Sequence, residues 1–563
     1  MLDDAQSTVM GPARLEVDVL VAGGGPCGLM LANELGPRGV RCLVVDAKPG
    51  TAFNPQANAT QARTMEHFRR LGFAHEIRAL GLPADHPTDI AYFTRYTAHE
   101  LARIKLPTAA EAAVRIRTMT GSWSAAELPH RVSQKFVEAA LRRRAQAWPS
   151  IDLRYGWALK EFREEDDGIV ARVQAVDGGE PVEVKARFLV GADGARSFVR
   201  GQLGIEWGGV TGIQREFMGG KMFAIYLRSP EFLSRLPHPK AWMYVAVNPQ
   251  RRAFMASVDG VAEFAFHAAV HPGENPESWT EADARRIFAE AVGADVPMEI
   301  LSMGTWLAGH ALVARRFRSG RVFIAGDAAH LFTPTGGLGY NTAVEDAVNL
   351  AWKLASVLKG QAPLALLDSY EAERRPLAER NTGFARRFAD SVGLFQARAV
   401  LEADTPQGEA ERAAAARHLD EHARLEFNIP GVTFGGRYDG SPIIVGDGVA
   451  PPPDEPNQYV PTASPGGRPP HMWLEDGRSL FDLFHREWTL LVLGEDEAPH
   501  GGFEIAARAL AIDLKPVRLA SPALRALYEA PLVLIRPDQI VAWRGTDADE
   551  AQTVLARVTG RQA

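Results

Sequence analysis

The sequence predicts an α/β protein of several domains that includes a Rossmann-like, dinucleotide-binding unit. Three observations support this fold class. An apolar strand over residues 16–22 runs into a glycine-rich turn and a helix. Residues 321–354 repeat the order of strand, glycine-rich turn and helix, and residues 206–300 alternate in the manner of a separate β-sheet. At 563 residues the chain is also too long for one core.

The composition argues against several classes of function. The chain has 62 basic and 69 acidic residues, and this net charge of -7 argues against a nucleic-acid partner. No apolar run reaches the roughly 18 residues of a membrane span, and the polar, acidic start does not predict a signal peptide. The two cysteines, Cys27 and Cys42, cannot build a disulfide framework or a metal site. We therefore expect a cytoplasmic protein with no metal and no membrane partner.

The first motif predicts a dinucleotide site. Gly23, Gly25 and Gly28 have the G-x-G-x-x-G spacing between a strand and a helix, which permits a tight turn and close backbone approach to a pyrophosphate. A second strand ends at Asp46, where an acid can accept hydrogen bonds from ribose hydroxyls. A purely structural turn is the alternative, and the order of strand, glycines, helix, strand and acid makes it the weaker one.

A further predicted strand also ends in a turn that carries an acidic residue. The strand at residues 182–190 leads into Gly191, Asp193 and Gly194, and a helix follows. Asp193 could contact a ligand or could cap that helix, and the sequence supports both equally. Upstream, strands are expected at 151–156 and 169–175 and an amphipathic helix at 130–146.

Residues 206–300 predict a sheet that forms the wall of a pocket. Phe223, Tyr226, Met243 and Tyr244 are candidates to face an apolar ligand, although most such side chains are core. Because neighbouring strand positions alternate between faces, at most one of Phe223 and Tyr226, and one of Met243 and Tyr244, can line that pocket.

The stretch at 321–354 predicts the second half of the ligand site. Its apolar strand ends at Gly326-Asp327, which makes Asp327 a candidate for a ribose or ribityl hydroxyl. A turn with little side-chain bulk follows, and the next helix would direct its positive end at the ligand. A turn that uses glycine only for geometry is the alternative. The glycines of this turn are Gly336, Gly337 and Gly339.

The last third of the chain predicts long helices, a linker and a small α/β domain. Helices are expected over 364–428, and a Pro- and Gly-rich linker over the surface at 429–470. Strands and helices then alternate in a thioredoxin-like order. Because this domain has no cysteine, dithiol exchange is excluded.

These motifs together resemble the class A flavoprotein aromatic hydroxylases, specifically the three-domain branch similar to phenol hydroxylase. The resemblance runs from about Glu16 to the end of the chain and is closest in the GDAAH…PTGG pattern that begins at Gly326. It implies a Rossmann-like FAD-binding domain with an inserted β-sheet substrate domain and a C-terminal thioredoxin-like domain. The first part of the FAD-binding domain would cover residues 14–205, with a short excursion into the substrate domain near 85–115. The substrate domain would cover 206–300, and the second part of the FAD-binding domain, with the long helices, 301–430. The linker would then cover 431–470 and the thioredoxin-like domain 471–563.

The resemblance also implies which residues would bind the cofactor. Asp46 replaces the glutamate that is more usual in the family, and Tyr340 stands where an apolar residue is more usual. Asp193 would belong to a motif that contacts both FAD and NAD(P)H. The implied FAD contacts are Gly23, Gly25, Gly28 and Asp46 at the ADP half; Arg63 and Gln134 near the phosphate and ribityl groups; Gly326 and Asp327 at the ribityl or pyrophosphate part; and Pro334, Gly337, Gly339, Tyr340 and Asn341 around the isoalloxazine ring.

The implied reaction is reduction of FAD by NADH or NADPH, reaction with O₂, and oxygen transfer from a flavin C4a-hydroperoxide to a phenolic ring. The alternative is the same chemistry on a bulky polycyclic or antibiotic substrate, and a second alternative is an FAD-binding protein without turnover. Pro334 would sit against the flavin, and a group that helps a phenol lose its proton is expected among Tyr244, His267 and His310. The single G-x-G-x-x-G turn argues against reductases and Baeyer–Villiger enzymes with two dinucleotide domains. The expected partners are a small aromatic substrate, O₂ and a second copy of the chain in a homodimer.

Overall fold

The computed structural model describes residues 14–494 and 500–561, which form four β-sheets with helices packed on them. The largest sheet has five parallel strands in the spatial order β17, β8, β1, β2, β5. Strands β2 and β17 and the second halves of β1 and β8 are nearly continuous buried apolar runs, as expected for a parallel sheet that is covered on both faces. The strands of this sheet are β1 (Arg14–Ala22), β2 (Cys42–Asp46), β5 (Ile151–Tyr155), β6 (Trp157–Glu165), β7 (Gly168–Ala175), β8 (Val182–Gly191), β16 (Arg318–Ser319) and β17 (Val322–Ile324).

Three helices pack together on this sheet. Helix α1 starts with Pro26 at its first position, where the missing N–H costs nothing, and its buried residues include Leu29, Met30 and Leu31. It lies between α5 and α9. The three helices are α1 (Pro26–Leu35), α5 (Gln134–Gln146) and α9 (Leu338–Leu358).

The second sheet has seven strands in the order β14, β10, β13, β12, β11, β3, β4. One face packs on helix α8 (Glu281–Val292), and the other face is directed at residue Ala59 and the long helices of the FAD-binding part. The strands β3 and β4 come from the excursion that the sequence analysis expected near 85–115. The strands are β3 (Ile90–Phe93), β4 (Glu100–Ile104), β10 (Lys221–Arg228), β11 (Met243–Ala246), β12 (Ala253–Ser257), β13 (Glu263–Ala269) and β14 (Glu299–Leu307).

The remaining elements of the first two thirds of the chain connect these layers. A three-stranded sheet is formed by β9 (Trp207–Thr211), β15 (His310–Ala314) and β18 (His330–Leu331). Among residues 14–494 and 500–561, no helix combines the length and apolarity needed to cross a membrane. The other helices are α2 (Ala62–Arg70), α3 (Ala74–Arg78), α4 (Ala109–Arg115), α6 (Phe198–Gln202), α7 (Phe232–Arg235), α10 (Asp368–Gly393), α11 (Pro406–Phe427) and α12 (Pro430–Phe434).

The C-terminal domain has the thioredoxin-like order that the sequence predicts. Its sheet runs β20, β19, β21, β22, with β19 parallel to β20 and antiparallel to β21. Its elements are β19 (Trp488–Leu493), α13 (Gly501–Ala509), β20 (Leu514–Leu519), α14 (Pro522–Tyr528), β21 (Leu532–Ile535), β22 (Val541–Gly545) and α15 (Ala551–Val558).

The segment that was expected to be a surface linker is partly built into this domain. The backbone N–H of Gly466 donates to the Val541 carbonyl at 2.7 Å, and the Val541 N–H donates to the Gly467 carbonyl at 2.9 Å. Val445 makes a similar bond to Ala542 at 2.9 Å. The segment is therefore hydrogen-bonded to strand β22 at two places rather than running free over the surface.

Buried ion pairs join the C-terminal domain to the body of the protein. Glu373 of α10 accepts from Arg536 and Lys353 at 2.6 Å, and all three side chains are fully buried. Glu66 of α2 accepts from Arg468 at 2.6 Å. Removing one partner from such a pair would leave an uncompensated buried charge. These ion pairs therefore fix the C-terminal domain against the rest of the protein.

Two elements differ from the sequence expectations. Strand β5 matches the predicted strand at 151–156, strand β6 is not predicted by the sequence, and the seven-stranded sheet continues to Leu307, past the expected limit at residue 300. Helix α8, which was not expected, begins at a capping box between Thr280 and Asp283 and ends at Gly293, whose φ is +85°. The domain limits themselves stay a prediction.

Candidate active site

Four turns that are far apart in sequence meet at one edge of the large sheet. The parallel strands β1, β2, β8 and β17 all point their carboxyl ends at this edge. The Gly23 N–H donates to Val45 at 2.8 Å and the Ala192 N–H donates to Ala22 at 2.7 Å. The Ala325 N–H donates to Gly191 at 2.9 Å, so the turns that carry Gly23, Asp46, Asp193 and Asp327 lie side by side.

The first turn needs glycine for close approach and offers open space at one position. A Cβ on Gly23 would lie 2.1 Å from the Ala192 carbonyl oxygen, and one on Gly28 would lie 1.9 Å from the Gly23 oxygen. A Cβ on Gly25 would have no neighbour within 4 Å. Gly25 is also the N-cap of α1, which has no acidic residue in its first turn. This arrangement suits a pyrophosphate at the positive end of α1.

Asp46 is held firmly beside this turn. Its carboxylate accepts from the backbone N–H groups of Gly24 and Lys48, both at 2.8 Å. The Tyr155 hydroxyl donates to the Gly24 carbonyl at 2.7 Å, and burial together with Asp46 raises the pKa of that tyrosine. Tyr155, at the end of the neighbouring strand β5, is a residue of this site that the sequence analysis did not identify.

Asp193 supports the start of α6. Its carboxylate accepts from the Ser197 hydroxyl at 2.5 Å and from the Val199 N–H at 3.1 Å, while Ser197 itself is the N-cap. Arg200 of the same helix donates to the Ala328 carbonyl at 3.0 Å, which ties this turn to the one at Asp327. The structural role is therefore present, and the cofactor contact of Asp193 stays a prediction.

Asp327 follows a glycine turn and faces the cleft in front of the edge where the four turns meet. Gly326 has a φ of +60°, which favours glycine. The Asp327 side chain is exposed, yet the surrounding protein raises the pKa of its carboxyl by desolvation, against the opposing charges of His330 and Lys48. A side chain that is accessible to solvent but has protein on most sides lies in a cleft. The hydroxyl groups of a ligand can donate hydrogen bonds to it there.

A buried cluster of charged side chains holds the Asp327 turn in position. Asp346 of α9 accepts from the Gly326 N–H at 3.0 Å, from His330 Nε2 at 2.7 Å and from Arg374 at 2.8 Å. Burial alone would raise the pKa of Asp346, but His330 and Arg374 together hold it below its ordinary value. His330 is thus a hydrogen-bonding residue beside this turn.

Pro334 is presented to the cleft between two anchored threonines. The Thr333 hydroxyl donates to the His310 carbonyl at 2.9 Å and the Thr335 hydroxyl donates to the Ala385 carbonyl at 2.6 Å. Both threonines are buried while Pro334 is exposed. The Gly336 N–H, which follows, donates to Glu426 at 2.9 Å.

Helix α9 begins with uncapped N–H groups beside this loop. Its N-cap, Gly337, has a φ of +64°, and no side chain caps the helix. Asn341 accepts from the Gln61 N–H at 2.8 Å and donates to Ala59 at 3.0 Å, which holds residues 59–61 against the helix start. A Cβ on Gly337 would lie 3.1 Å from the Ala59 Cβ, a tight contact that adds to the preference for glycine set by φ.

Orphaned polar atoms surround this helix start. The Tyr340 hydroxyl is buried, burial raises its pKa against an opposing interaction with the Thr60 side chain, and within residues 14–494 and 500–561 neither hydroxyl makes a well-aligned hydrogen bond. Three nearby atoms share that state, Asn58 Oδ1, Thr60 Oγ1 and Ser133 Oγ. Buried polar atoms usually have partners, so this set fits the ribityl and isoalloxazine parts of FAD.

Two other expected cofactor contacts are occupied by protein groups. Gln134 donates to Glu138 at 2.7 Å, and its backbone N–H donates to Ala57 at 2.7 Å. The Arg63 guanidinium donates to the Asp538 carbonyl at 2.9 Å and to the Gln539 carbonyl at 3.0 Å. Arg63 therefore joins α2 to the C-terminal domain, and contact of either residue with FAD stays a prediction.

The seven-stranded sheet presents a partly exposed row of side chains to the cleft. Gly304, Ala224, His267 and Phe254 are cross-strand neighbours on β14, β10, β13 and β12. Ala224, His267 and Phe254 are only partly buried although their strands are interior, and Gly304 is exposed on the edge strand β14. A Cβ on Gly304 would have no neighbour within 4 Å. This row is the floor of the candidate substrate pocket.

Strand alternation decides which of the four candidate side chains, Phe223, Tyr226, Met243 and Tyr244, can face the cleft. Phe223 and Tyr244 lie on the opposite face, in the core against α8, whereas Met243 is on the cleft face. Tyr226 packs separately from Phe223, as alternation requires. Tyr244 is fully buried and its hydroxyl accepts from the Ala241 N–H at 2.9 Å. The expectation that Tyr244 acts in catalysis is therefore wrong, because its side chain points away from the cleft.

His267 is a neutral hydrogen-bond donor within the row. Its Nδ1 accepts from the Trp306 indole N–H at 3.0 Å, and its ring stacks on Phe254 with centroids 4.6 Å apart. Burial lowers the pKa of His267 to about 4. Since an indole can only donate, the second ring nitrogen, Nε2, carries the proton.

His310 lies at the foot of the Pro334 loop. Its Nδ1 is 2.8 Å from the Thr211 hydroxyl, and burial lowers its pKa. Its carbonyl positions Thr333, so the residue is near the cleft, and its catalytic role stays a prediction.

Comparisons with known proteins also indicate an FAD site in this chain. Residues 16–385 match the family model described as FAD binding domain, and residues 462–562 match the one described as aromatic-ring hydroxylase, C-terminal. The chain is 31% identical to the tetracenomycin B2 monooxygenase-dioxygenase of Streptomyces olivaceus, over 97% of this chain and 99% of that protein. It is 28% identical to the 2,4-dichlorophenol 6-monooxygenase of Delftia acidovorans, over 97% and 98%.

A solved structure extends the likeness to three dimensions. Chromopyrrolic acid-soaked RebC with bound 7-carboxy-K252c superposes with a TM-score of 0.87 and 34% identity, and the match covers 97% of this chain and 100% of that one. The chain therefore belongs to the FAD-dependent aromatic hydroxylases and is an aromatic flavoprotein monooxygenase.

Proposed function

We propose that this protein uses NADH or NADPH and O₂ to hydroxylate a phenolic ring that is part of a flat polycyclic molecule. The observation that carries the proposal is the cross-strand row of Gly304, Ala224, His267 and Phe254. It combines two small residues, which leave room, with two flat rings, which can pack on an aromatic face.

The length of the row favours a polycyclic substrate over a simple phenol. Its members stand on four adjacent strands, and three strand spacings of about 4.8 Å give a floor of about 14 Å. That length exceeds one benzene ring and suits several fused rings. Met243 and Trp306, both partly exposed, pack against the same apolar cluster and extend the floor.

The turns at the sheet edge would hold FAD. Gly25 and Asp46 would contact the ADP half, Asp327 the ribityl or pyrophosphate part, and Pro334 the isoalloxazine ring. Bound FAD supplies the two-electron activation of O₂ that places one oxygen atom on the ring. The uncapped start of α9 would provide positive potential for a negatively charged flavin.

Protein groups have separate tasks around the substrate. His267, with its proton on Nε2, would donate a hydrogen bond to a substrate carbonyl or hydroxyl oxygen. His310, which burial keeps neutral, is our candidate to accept the phenol proton. The buried residues around the cleft would exclude water. The nicotinamide cofactor would bind transiently, because the chain has a single G-x-G-x-x-G turn.

The experiment compares substrates of different size. The purified FAD-loaded protein is incubated with NADPH or NADH, O₂ and either 2-hydroxyanthraquinone or 2,4-dichlorophenol. We expect the polycyclic compound to stimulate NAD(P)H oxidation with the higher kcat/KM and to gain one oxygen atom. A higher kcat/KM for the small phenol would overturn the polycyclic assignment and leave the hydroxylase activity standing.

The absence of any stimulation and of any hydroxylated product would instead favour an FAD-binding protein without turnover. We also propose that the protein acts in the cytoplasm and as a homodimer. Sizing chromatography of the holoenzyme tests the second point, and elution at the monomer mass would contradict it.

A further inference from the structure

Arg131 occupies the boundary between the FAD-binding loops and the floor of the pocket. Its neighbour His130 pairs with Thr60 through two backbone hydrogen bonds of 2.8 and 2.9 Å. Thr60 is one of the orphaned groups at the start of α9. The Arg131 guanidinium lies over the ring of Trp242, 4.2 Å from its centroid.

Trp242 connects Arg131 to the substrate floor. It directly precedes β11 and belongs to the apolar cluster against which Met243, Phe254 and Trp306 pack. A group stacked on Trp242 is therefore continuous with the floor described above. Arg131 keeps some accessible surface although protein surrounds it, which places its head group in an internal cleft.

The guanidinium has no anionic partner in the described structure. Within residues 14–494 and 500–561, no carboxylate lies within salt-bridge distance of it and it donates no hydrogen bond to protein. The nearest acid that acts on it electrostatically is Glu426, whose carboxylate already accepts from the Gly336 N–H and pairs with His422. A guanidinium has five N–H donors, and none of those of Arg131 is taken up by the described residues.

Two other buried arginines, Arg251 and Arg252, have the protein partners that are typical of an arginine with a structural role. Arg252 donates to the Phe395 carbonyl at 2.8 Å and to the Val392 carbonyl at 3.2 Å. Arg251 pairs with Glu274 at 2.9 Å and with Glu290 at 3.0 Å. Arg131 has nothing comparable, so fold stability does not account for the cost of placing its charge there.

We propose that Arg131 binds an anionic oxygen, a carboxylate or an ionised hydroxyl, on the polycyclic aromatic substrate. This inference rests on the proposed function. The Trp242 ring holds the guanidinium plane and leaves its edge N–H groups free for a paired, bidentate contact with such an oxygen group. Burial lowers the pKa of Arg131 to about 10, so the group remains charged at neutral pH.

The test measures ligand binding to the oxidised holoenzyme through the change in flavin absorbance. Three probes of one shape are compared: anthraquinone-2-carboxylate, 2-hydroxyanthraquinone above and below the pH at which its hydroxyl ionises, and neutral 2-methylanthraquinone. Arg131→Met should weaken binding of an anionic probe by about tenfold to a hundredfold, the loss expected for a charge-assisted hydrogen bond. Binding of the neutral probe should stay within about threefold.

Two further variants keep the test decisive. Arg131→Lys retains the charge and should keep most of the preference for anionic probes, whether or not the methionine variant folds well. Arg117→Met is the matched control, because Arg117 also stacks on a tryptophan, Trp473, at 3.9 Å, but on the exposed surface. It should bind all three probes as the unaltered protein does.

The outcomes separate this inference from the proposed function. A larger loss for the carboxylate or for the ionised hydroxyl identifies which anion the site takes, and either supports the inference. Equal loss for all three probes, or loss of FAD from Arg131→Met, would overturn it and leave the hydroxylase function standing. Failure of the unaltered holoenzyme to bind any anthraquinone would overturn both.

Discussion

The backbone N–H of Gly326 donates a hydrogen bond to the Asp346 carboxylate 3.0 Å away, which ties the turn of Asp327 to helix α9. The same carboxylate balances Arg374 and contacts His330, and all three side chains are fully buried. The position of the Asp327 turn thus depends on a charge cluster behind it.

Replacing Asp346 with asparagine should destabilise the protein and weaken FAD binding. Among the residues that the structure describes, the change leaves Arg374 with the partly exposed Glu345 as its one acidic partner, 3.2 Å away. Breaking a buried pair of this kind costs about 3–5 kcal/mol. Urea unfolding and FAD titration measure the two effects. Glu345→Gln, at the partly exposed end of the same arginine, should cost less than about 1 kcal/mol, and equal costs for both variants would refute this account.

Gly25→Ala should give a folded protein that lacks FAD. The added Cβ meets no protein atom within 4 Å, so the fold accepts it, but it occupies the space assigned to the pyrophosphate. Gly383→Ala is the control, since Gly383 is exposed in α10 and its Cβ also meets nothing. Thermal unfolding should be unchanged or improved in the control, and the flavin-to-protein absorbance ratio should fall only in Gly25→Ala. Full FAD content in Gly25→Ala would show that the cofactor lies elsewhere.

Asp327→Ala should lose FAD, and the unaltered protein should lose it at acid pH. Desolvation raises the pKa of the Asp327 carboxyl, so protonation begins at a higher pH than for an ordinary aspartate. The protonated carboxyl accepts hydroxyl hydrogen bonds poorly, so FAD affinity should fall over the acid range, starting at a higher pH than for an ordinary aspartate. Asp327→Asn should bind FAD weakly with little pH dependence in that range. Tight FAD binding by Asp327→Ala would contradict the assignment.

His267→Phe should raise the KM for a polycyclic substrate by about fivefold, the value of one neutral hydrogen bond. The pKa of His267 is held at about 4, so the ratio of KM values should be constant between about pH 6 and pH 9. Trp306→Phe frees Nδ1 and should have a smaller effect, because either tautomer can then form. A KM ratio that follows a titration near pH 6.5 would mean that His267 acts as a base.

Much of the cofactor site could be predicted because its signals are local. The spacing of Gly23, Gly25 and Gly28, and the strand ends at Asp46 and Asp327, are readable in short windows, and parallel strands bring such ends to one edge. Helix α8 also had a local signal, the Thr280-x-x-Asp283 capping pattern, which the β-like texture around it obscured.

The substrate side could not be predicted because it depends on which sheet face meets the cleft. Alternation places Met243 and Tyr244 on opposite faces, but nothing in the strand says which face carries helix α8. Contacts such as Arg131 with Trp242 and His267 with Trp306 join residues that are distant in sequence, so no short pattern reports them.

The oxygen atom that this chain places on a polycyclic phenol should come from O₂. The most direct measurement is mass spectrometry of the product after the FAD-loaded protein turns over 2-hydroxyanthraquinone with NAD(P)H under ¹⁸O₂. We predict a product with one ¹⁸O atom, formed in step with NAD(P)H oxidation. Oxidation of NAD(P)H that yields only hydrogen peroxide, with the anthraquinone unchanged, would contradict the account.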